Sequence, residues 1–428
     1  MQAAITAVEA GCGARLSGLF SWRRRMALIL LRSGRLATVW TRKGNAMRHK
    51  NSVYHGLLQH VPWGSFDQLV DENRGNKGAR TLTMRDQFSA LLYGQLAGAS
   101  SLREIEGGLL SHRTRLYHVH AKPVKRSTLA DANALRPAAV FAGLFLKLMK
   151  QAHRGLRRSL EETVYLIDST NLRLNELSKD WARFSSGVCG AKAHVIYDAD
   201  AGCPVYMAVT AANVNDITAA QAMPAEAGAS YVFDLGYYDY SWWARLDAAG
   251  CRIVTRFKSN TPLRRIEDRP IIEGGAILSD RVGYLPARQA KNRKNPFDDP
   301  VREIRVCIET GKTLRILTND LDASAEEIAA LYKRRWEIEL FFRWVKQNLK
   351  IKKFLGASEN AIRIQIAVAL IAYLLLRLAH AAQKSGLTLL AFTRLVRVNL
   401  MHLKRIDRLL EDTAETQFDD RQMAFRCF

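Results

Sequence analysis

Glu339 lies in a stretch otherwise dominated by cations and aromatics, Leu331-Tyr332-Lys333-Arg334-Arg335-Trp336-Glu337-Ile338-Glu339-Leu340-Phe341-Phe342-Arg343-Trp344-Val345-Lys346. Ser324 followed by Glu327 reads as a capping box, and no Gly or Pro interrupts the chain before Gly356. The spacing predicts a helix over about 325–350, roughly 39 Å long at 1.5 Å per residue. At about 100° per residue, Leu331, Ile338, Phe342, Val345 and Leu349 share one arc, a buried seam. Tyr332, Arg335, Glu339 and Lys346 share a second arc beside it. A carboxylate ringed by a phenol and two cations at the edge of a core suits a metal ion and a phosphate. The plainer reading is an amphipathic helix whose Glu339 is neutralised by Arg335 and Arg343 in i,i+4 pairs.

Two further acids end short apolar runs. Val164-Tyr165-Leu166-Ile167-Asp168 and Tyr231-Val232-Phe233-Asp234 each read as a buried strand whose last side chain meets solvent at a sheet edge. Ala193–Tyr197 and Pro204–Thr210 read as a hairpin about a turn at residues 198–202, Trp242–Ala249 as a helix, and Cys251–Arg256 as a strand. Strand, hairpin, strand, helix, strand is the order of a ribonuclease-H-like sheet, in which the first and fourth strands are neighbours. Adjacent strands lie about 4.8 Å apart, so Asp168 and Asp234 can share a cation. Carboxylates and water suit Mg²⁺ or Mn²⁺. Two such ions activate a water or a 3′-hydroxyl and stabilise the leaving oxygen of an in-line phosphoryl transfer. Among the other polar residues, Asp198 and Asp200 read as turn formers. Asp216 reads as structural or supporting, and His194 as a satisfied core histidine.

The chain has 428 residues, 48% of them hydrophobic, enough for two or three domains. A net charge of +23 calls for a polyanion, and nucleic acid fits better than a membrane surface. The six cysteines are scattered with no C-x-x-C pair, which argues against zinc ligation and a disulfide framework and makes a reducing cytosol the default. The most apolar run, Ile364–His380, carries Gln365 and Arg377 and reads as a buried helix, so no membrane span is expected.

Residues 1–46 hold eight Lys/Arg against one acid and read as an extension ahead of a start at Met47, with little structure. Residues 47–160 are helical, with Thr83–Leu96, Ser101–Leu110 and Ser127–Leu135 joined by basic connections bearing Arg113, Arg115, Lys122, Lys125 and Arg126. This suits either a helix-turn-helix-like DNA-binding module or an ordinary bundle with a basic loop. The catalytic core is assigned to 161–257 and 314–360, interrupted by a basic, β-rich insertion at 258–313 with a strand near Arg302–Ile308. Leu314–Leu317 reads as a strand returning to the core. Residues 361–428 form a helical C-terminal cap, with helices over Ile362–Gln383 and Thr388–Leu410 and a loose tail from Glu411. The fold class is mixed α/β.

The spacing Tyr332-x2-Arg335-x3-Glu339-x6-Lys346 resembles the Y-R-E-K signature of the DDE transposases of insertion-sequence family four. Asp234-Leu235-Gly236-Tyr237 resembles that family's second-aspartate motif, and Leu166-Ile167-Asp168-Ser169-Thr170 its first. The resemblance runs from about Met47 to Leu410. It implies a ribonuclease-H-like core with Asp168, Asp234 and Glu339 as the catalytic, metal-binding triad for Mg²⁺ or Mn²⁺, with two ions. It also implies DNA contacts from Tyr332, Arg335 and Lys346, with Trp336 and Arg343 beside them. The implied activity is cut-and-paste transposition by a homodimer on paired terminal inverted repeats: end binding, strand cleavage, typically through a DNA hairpin, and transfer to target DNA. A cytoplasmic, nucleoid-associated protein follows. One departure is that residues 244–335 contain no tryptophan, where some relatives stack a flipped base on one in the insertion. Trp336 is the candidate stacking face here, and such stacking is worth about 1–3 kcal/mol. The alternatives are a catalytically silent DNA-binding descendant and a ribonuclease-H-like nuclease without strand transfer.

Overall fold

Side-chain alternation along two neighbouring strands decides where the acids go. In the computed structural model, which describes residues 51–119, 121–156, 163–174, 183–185, 188–288, 293–348, 355–383 and 386–410, β1 (Val164–Leu174) is antiparallel to β3 (Val188–Asp198). The latter also pairs with β2 (Arg183–Ser185) and β4 (Cys203–Ala211). β5 (Ser230–Phe233) lies parallel on the other side of β1, and β6 (Arg252–Arg256) lies parallel beyond it. The expected extension over 1–46, Leu349 of the seam and the tail from Glu411 fall outside the described residues.

Val164, Leu166 and Val232 join one buried cluster, while Tyr165, Ile167, Tyr231 and Phe233 join another on the opposite face. We call these faces front and rear. Over the rear lie α7 (Asp216–Ala220) and the aromatic α8 (Tyr240–Ala248), whose Trp243 is fully buried. The front carries α9 (Ala325–Arg334) and α10 (Trp336–Asn348), with Ile328, Leu331, Ile338, Phe342 and Val345 buried as the seam requires.

The same front cluster continues into helices from both ends of the chain. These are α1 (Val53–Leu58), α2 (Trp63–Glu72), α3 (Met84–Ala97), α4 (Leu102–Ser111), α5 (Arg126–Leu135), α6 (Ala138–Leu156), α11 (Glu359–Ala381) and α12 (Leu389–Asn399). Thr83 and Asp86 close a full capping box on α3, and Ser101 caps α4, but α5 opens on Lys125 without a side-chain cap rather than on a serine. α11 is long and apolar enough to cross a membrane, and 78% of its most apolar window is buried against its neighbours, as a core helix. The predicted helix to Leu410 stops at Asn399. Beyond it, the carbonyls of Leu400 and His402 accept the amides of Tyr54 and Val53 at the start of α1, which draws the chain out of helix.

The basic insertion does not form a separate sheet. β7 (Arg264–Arg269), β8 (Ile277–Tyr284), β9 (Val301–Cys307) and β10 (Thr313–Thr318) extend the same sheet antiparallel in the order β6-β10-β9-β8-β7. Buried Arg302 on β9 pairs with Asp280 on β8 at 2.7 and 2.5 Å and also donates to the Ala323 carbonyl, beside the Ser324 cap of α9. Arg269 donates to the Leu321 carbonyl in the same loop. The insertion thus grips the start of the helix that leads to Glu339. Among the described residues Cys203, Cys251 and Cys307 are free thiols.

Candidate active site

The parallel register of β1 and β5 ends at Leu166 opposite Val232. Asp168 and Asp234 each follow two residues later, so period-two alternation sends both to the front face at one level of the sheet. Beyond that point the strands part, and Asp234 turns back on itself, its Oδ1 accepting the Gly236 amide at 2.8 Å. A Cβ on Gly236 would stand 3.0 Å from that oxygen and 3.3 Å from Asp216 Oδ2, so the turn needs glycine for its close approach.

Glu339 reaches the same face from α10. The predicted continuous helix is broken at Arg335, whose amide bonds Tyr332 rather than Leu331, a 3₁₀-like step between α9 and α10. The step accompanies an inward Arg335 side chain, 17% exposed, with Nη2 2.5 Å from Glu339 Oε1 and Nη1 3.9 Å from Asp168 Oδ2. One guanidinium therefore spans two of the three acids. Among the described residues no three acidic, His or Cys groups stand close enough to enclose an ion; bare carboxylates repel, and Arg335 neutralises them.

Asp168 bears the cost of this crowding. Burial, together with the nearby Asp234 and Glu339 charges, raises its pKa to about 7, against the pull of the Ser169 amide and Arg335. A hard divalent cation is what such a donor set lacks, so the residues fit Mg²⁺ or Mn²⁺. Tyr332, 8% exposed, lies on the Asp234 side. Its hydroxyl is held above the usual phenol range by burial and by Asp234, with Arg335 and Arg256 opposing.

A cleft of about 400 Å³ opens beside Glu339, lined by Asp168, Ser169, Thr170, Arg343 and Lys346 among others. Asp234 does not line it. Trp336 is half exposed, with the Arg343 guanidinium 5.7 Å from its ring centroid, so a flat cation-backed face stands at the rim. All eight residues singled out from the sequence thus lie on or near one face.

The turn reading of Asp198 and Asp200 agrees with the geometry: Asp198 Oδ1 accepts the amides of Asp200 and Ala201, each at 2.8 Å. His194 is fully buried with Nε2 2.9 Å from Thr210 Oγ1, and burial lowers its pKa to about 4. Two residues given no role from the sequence, Ser169 and Lys192, touch Asp216. The available signal was Lys192-x-His194, two polar residues at alternate positions of a strand otherwise apolar up to Tyr197.

Acids at two parallel strand ends and on a helix against the same face, in a strongly basic chain, are an arrangement that suits divalent-cation chemistry on a polyanion. The family model for the Transposase DDE domain matches residues 159–375, from β1 through most of α11. The chain belongs to this family: it is a DDE transposase, an enzyme of DNA transposition, as the resemblance in its motifs implies. A second model, a domain of unknown function (DUF4372), matches residues 49–122, the first four helices. A protein named as transposase y4zB in Sinorhizobium fredii is 43% identical over 63% of this chain and 75% of its own length. One named as a transposase for insertion sequence element IS5377 in Geobacillus stearothermophilus is 27% identical over 81% and 91% respectively. Among solved structures, the cryo-EM structure of the piggyBac transposase synaptic complex with hairpin DNA matches with a TM-score of 0.46 and 10% identity, covering 85% of this chain and 83% of that one.

Proposed function

We propose that Asp168, Asp234 and Glu339 are the catalytic triad and the ligands of two Mg²⁺ or Mn²⁺ ions, on a ribonuclease-H-like core formed by β4-β3-β1-β5-β6 and the helices over its front face. The observation that carries this reading is the register: Leu166 against Val232 puts both aspartates at one level of one face, where Arg335 links Asp168 to Glu339. The ions, when bound, supply Lewis acidity toward the scissile phosphate and a more acidic water or 3′-hydroxyl. The protein supplies the rest. Tyr332, Arg335, Arg343 and Lys346 hold phosphates, which positions DNA without reading its sequence. Trp336 offers a stacking face for an unpaired base. Sequence-specific end binding belongs to the helices of residues 47–160, and a homodimer on paired terminal inverted repeats would complete the assembly. A cytoplasmic, nucleoid-associated location follows from this substrate.

The test is incubation of the purified chain with its own element ends, target DNA and Mg²⁺, scoring binding, cleavage and joining together. Asp168→Ala, Asp234→Ala and Glu339→Ala are each expected to abolish cleavage while leaving end binding intact. Parallel loss of binding and cleavage in all three would count against a catalytic triad. Failure of pre-cut ends to join would favour a nuclease without strand transfer, and hairpin ends among the products would establish that route.

A further inference from the structure

Ser169 connects two carboxylates on opposite faces of β1. Its amide donates to Asp168 Oδ1 at 2.8 Å, and its hydroxyl donates to Asp216 Oδ1 at 2.6 Å. Alternation sends Asp168 to the front, with Leu166, and Ser169 to the rear, with Ile167. Asp216 stands at the start of α7 on that rear face and is itself held in place. Lys192 Nζ lies 3.1 Å from its Oδ1 and also donates to the Val214 carbonyl at 3.0 Å. His194, which pairs with Ser169 across the β1–β3 register, brings Nδ1 to 3.6 Å from the same oxygen. The other oxygen of Asp216 flanks Gly236, whose missing Cβ would also meet Asp234. Asp216 therefore meets one strand-end aspartate through a serine and the other through the glycine of its turn.

We propose that Asp216 is a positioning residue for both strand-end aspartates. It fixes Ser169 from behind the sheet, so the Ser169 amide holds the Asp168 carboxylate in one orientation, and it forms the wall on which the Asp234 turn closes. An ordinary Lys192–Asp216 ion pair would need neither the serine hydroxyl nor the contact at Gly236. The inference rests on the reading of Asp168 and Asp234 as metal ligands. Groups that orient ligands in this way typically change metal affinity by about 10–100-fold when removed.

The experiment measures Mn²⁺ binding by the full-length, DNA-free chain from the electron paramagnetic resonance signal of free Mn²⁺, with thermal midpoints on the same samples. Asp216→Asn and Ser169→Ala are expected to weaken Mn²⁺ binding by about 10–100-fold with midpoints within a few degrees of wild type. Ser169→Thr, which keeps the hydroxyl, is expected to bind as wild type does. Asp168→Ala is the reference. If it loses Mn²⁺ binding while Asp216→Asn and Ser169→Ala keep it, the positioning role is overturned and the metal centre stands. If Asp168→Ala binds Mn²⁺ normally, the metal centre fails and this proposal with it. Should Asp216→Asn not fold, Ser169→Ala decides alone, and wild-type affinity in that variant overturns the proposal.

Discussion

Arg335 donates to Glu339 at 2.5 Å across the break between α9 and α10, while its second arm stands 3.9 Å from Asp168. The guanidinium thus occupies the electrostatic place that a divalent cation would take. At about 4 Å and an effective dielectric of about 20, each such pairing is worth about 4 kcal/mol before desolvation. Removing it should move two quantities in opposite directions. Arg335→Ala is expected to bind Mn²⁺ several-fold more tightly, yet to cleave DNA about 10²–10³-fold more slowly, because the transition-state charge loses a donor. Weaker Mn²⁺ binding in this variant would mean that Arg335 scaffolds the acids rather than competing for them.

Asp168 makes the resting site costly, and the sign of its effect on stability is fixed. Its carboxyl titrates near 7 in the folded chain, above the usual 3.8, so the folded state holds the proton longer than the unfolded one. The contribution of Asp168 should therefore fall as pH rises from about 4 to 7 and stay level above that. It is read as the difference between wild type and Asp168→Asn, because buried His194, lowered to about 4, contributes with the opposite sign over much of the same range. Asp168→Asn removes this cost. In metal-free buffer at pH 8 it should be more stable than wild type by roughly 1–4 kcal/mol, a gain that shrinks to nothing below pH 4. Added Mg²⁺ should raise the urea midpoint of wild type and not of the variant. An Asp168→Asn variant no more stable than wild type at pH 8 would contradict the crowding.

Arg302 and Asp280, 3% and 4% exposed at their side chains, tie the insertion to the loop that starts α9. Breaking a buried pair by removing one partner leaves an uncompensated charge and costs about 3–5 kcal/mol. Asp280→Leu should therefore destabilise the chain by about that amount, and Arg302→Met comparably. The double variant should be clearly less destabilised than either single, because neither charge is stranded. Additive losses in denaturant melts would show that the pair carries no coupling. Because Arg302 also bonds Ala323, cleavage should fall even in the better-folded double variant.

Most features set by adjacent residues were legible in the sequence, and several set by distant partners were not. Asp168 and Asp234 announce themselves because an apolar run ending in an acid is a property of five adjacent residues. The seam of Leu331, Ile338, Phe342 and Val345 is likewise a matter of spacing. The break at Arg335 has no Gly or Pro to signal it and coincides with contacts to Asp168, about 170 residues earlier in the chain. The return of Leu314–Leu317 to the core was legible as a short apolar run, and β10 lies antiparallel to β6. That the strands of the insertion would extend the same sheet was not, because nothing in Arg302–Ile308 names its partner strand. The short α12 has the same origin, since α1 claims the carbonyls of Leu400 and His402. Asp216, at the start of α7, could be weighed but not placed, because its partner Ser169 comes from β1, 47 residues earlier in the chain.

Phe342 separates a functional helix from a merely amphipathic one. It is 7% exposed, packs with Phe341 at 5.4 Å between ring centroids, and sits one turn from Glu339 in the seam that sets the rotation of α10. Phe342→Ala should cost about 3–5 kcal/mol from lost burial and the cavity left behind. Phe141→Ala, from a fully buried position on α6, should cost a similar amount and serves as the control. The two should differ in activity at a temperature where both are folded by circular dichroism. Cleavage by Phe342→Ala should drop by about tenfold or more, since a displacement of about 1 Å at a reacting group can cost 10²-fold. Phe141→Ala should cleave at a rate set by its folded fraction. Equal cleavage by the two variants would mean that the seam stabilises the chain without positioning Glu339.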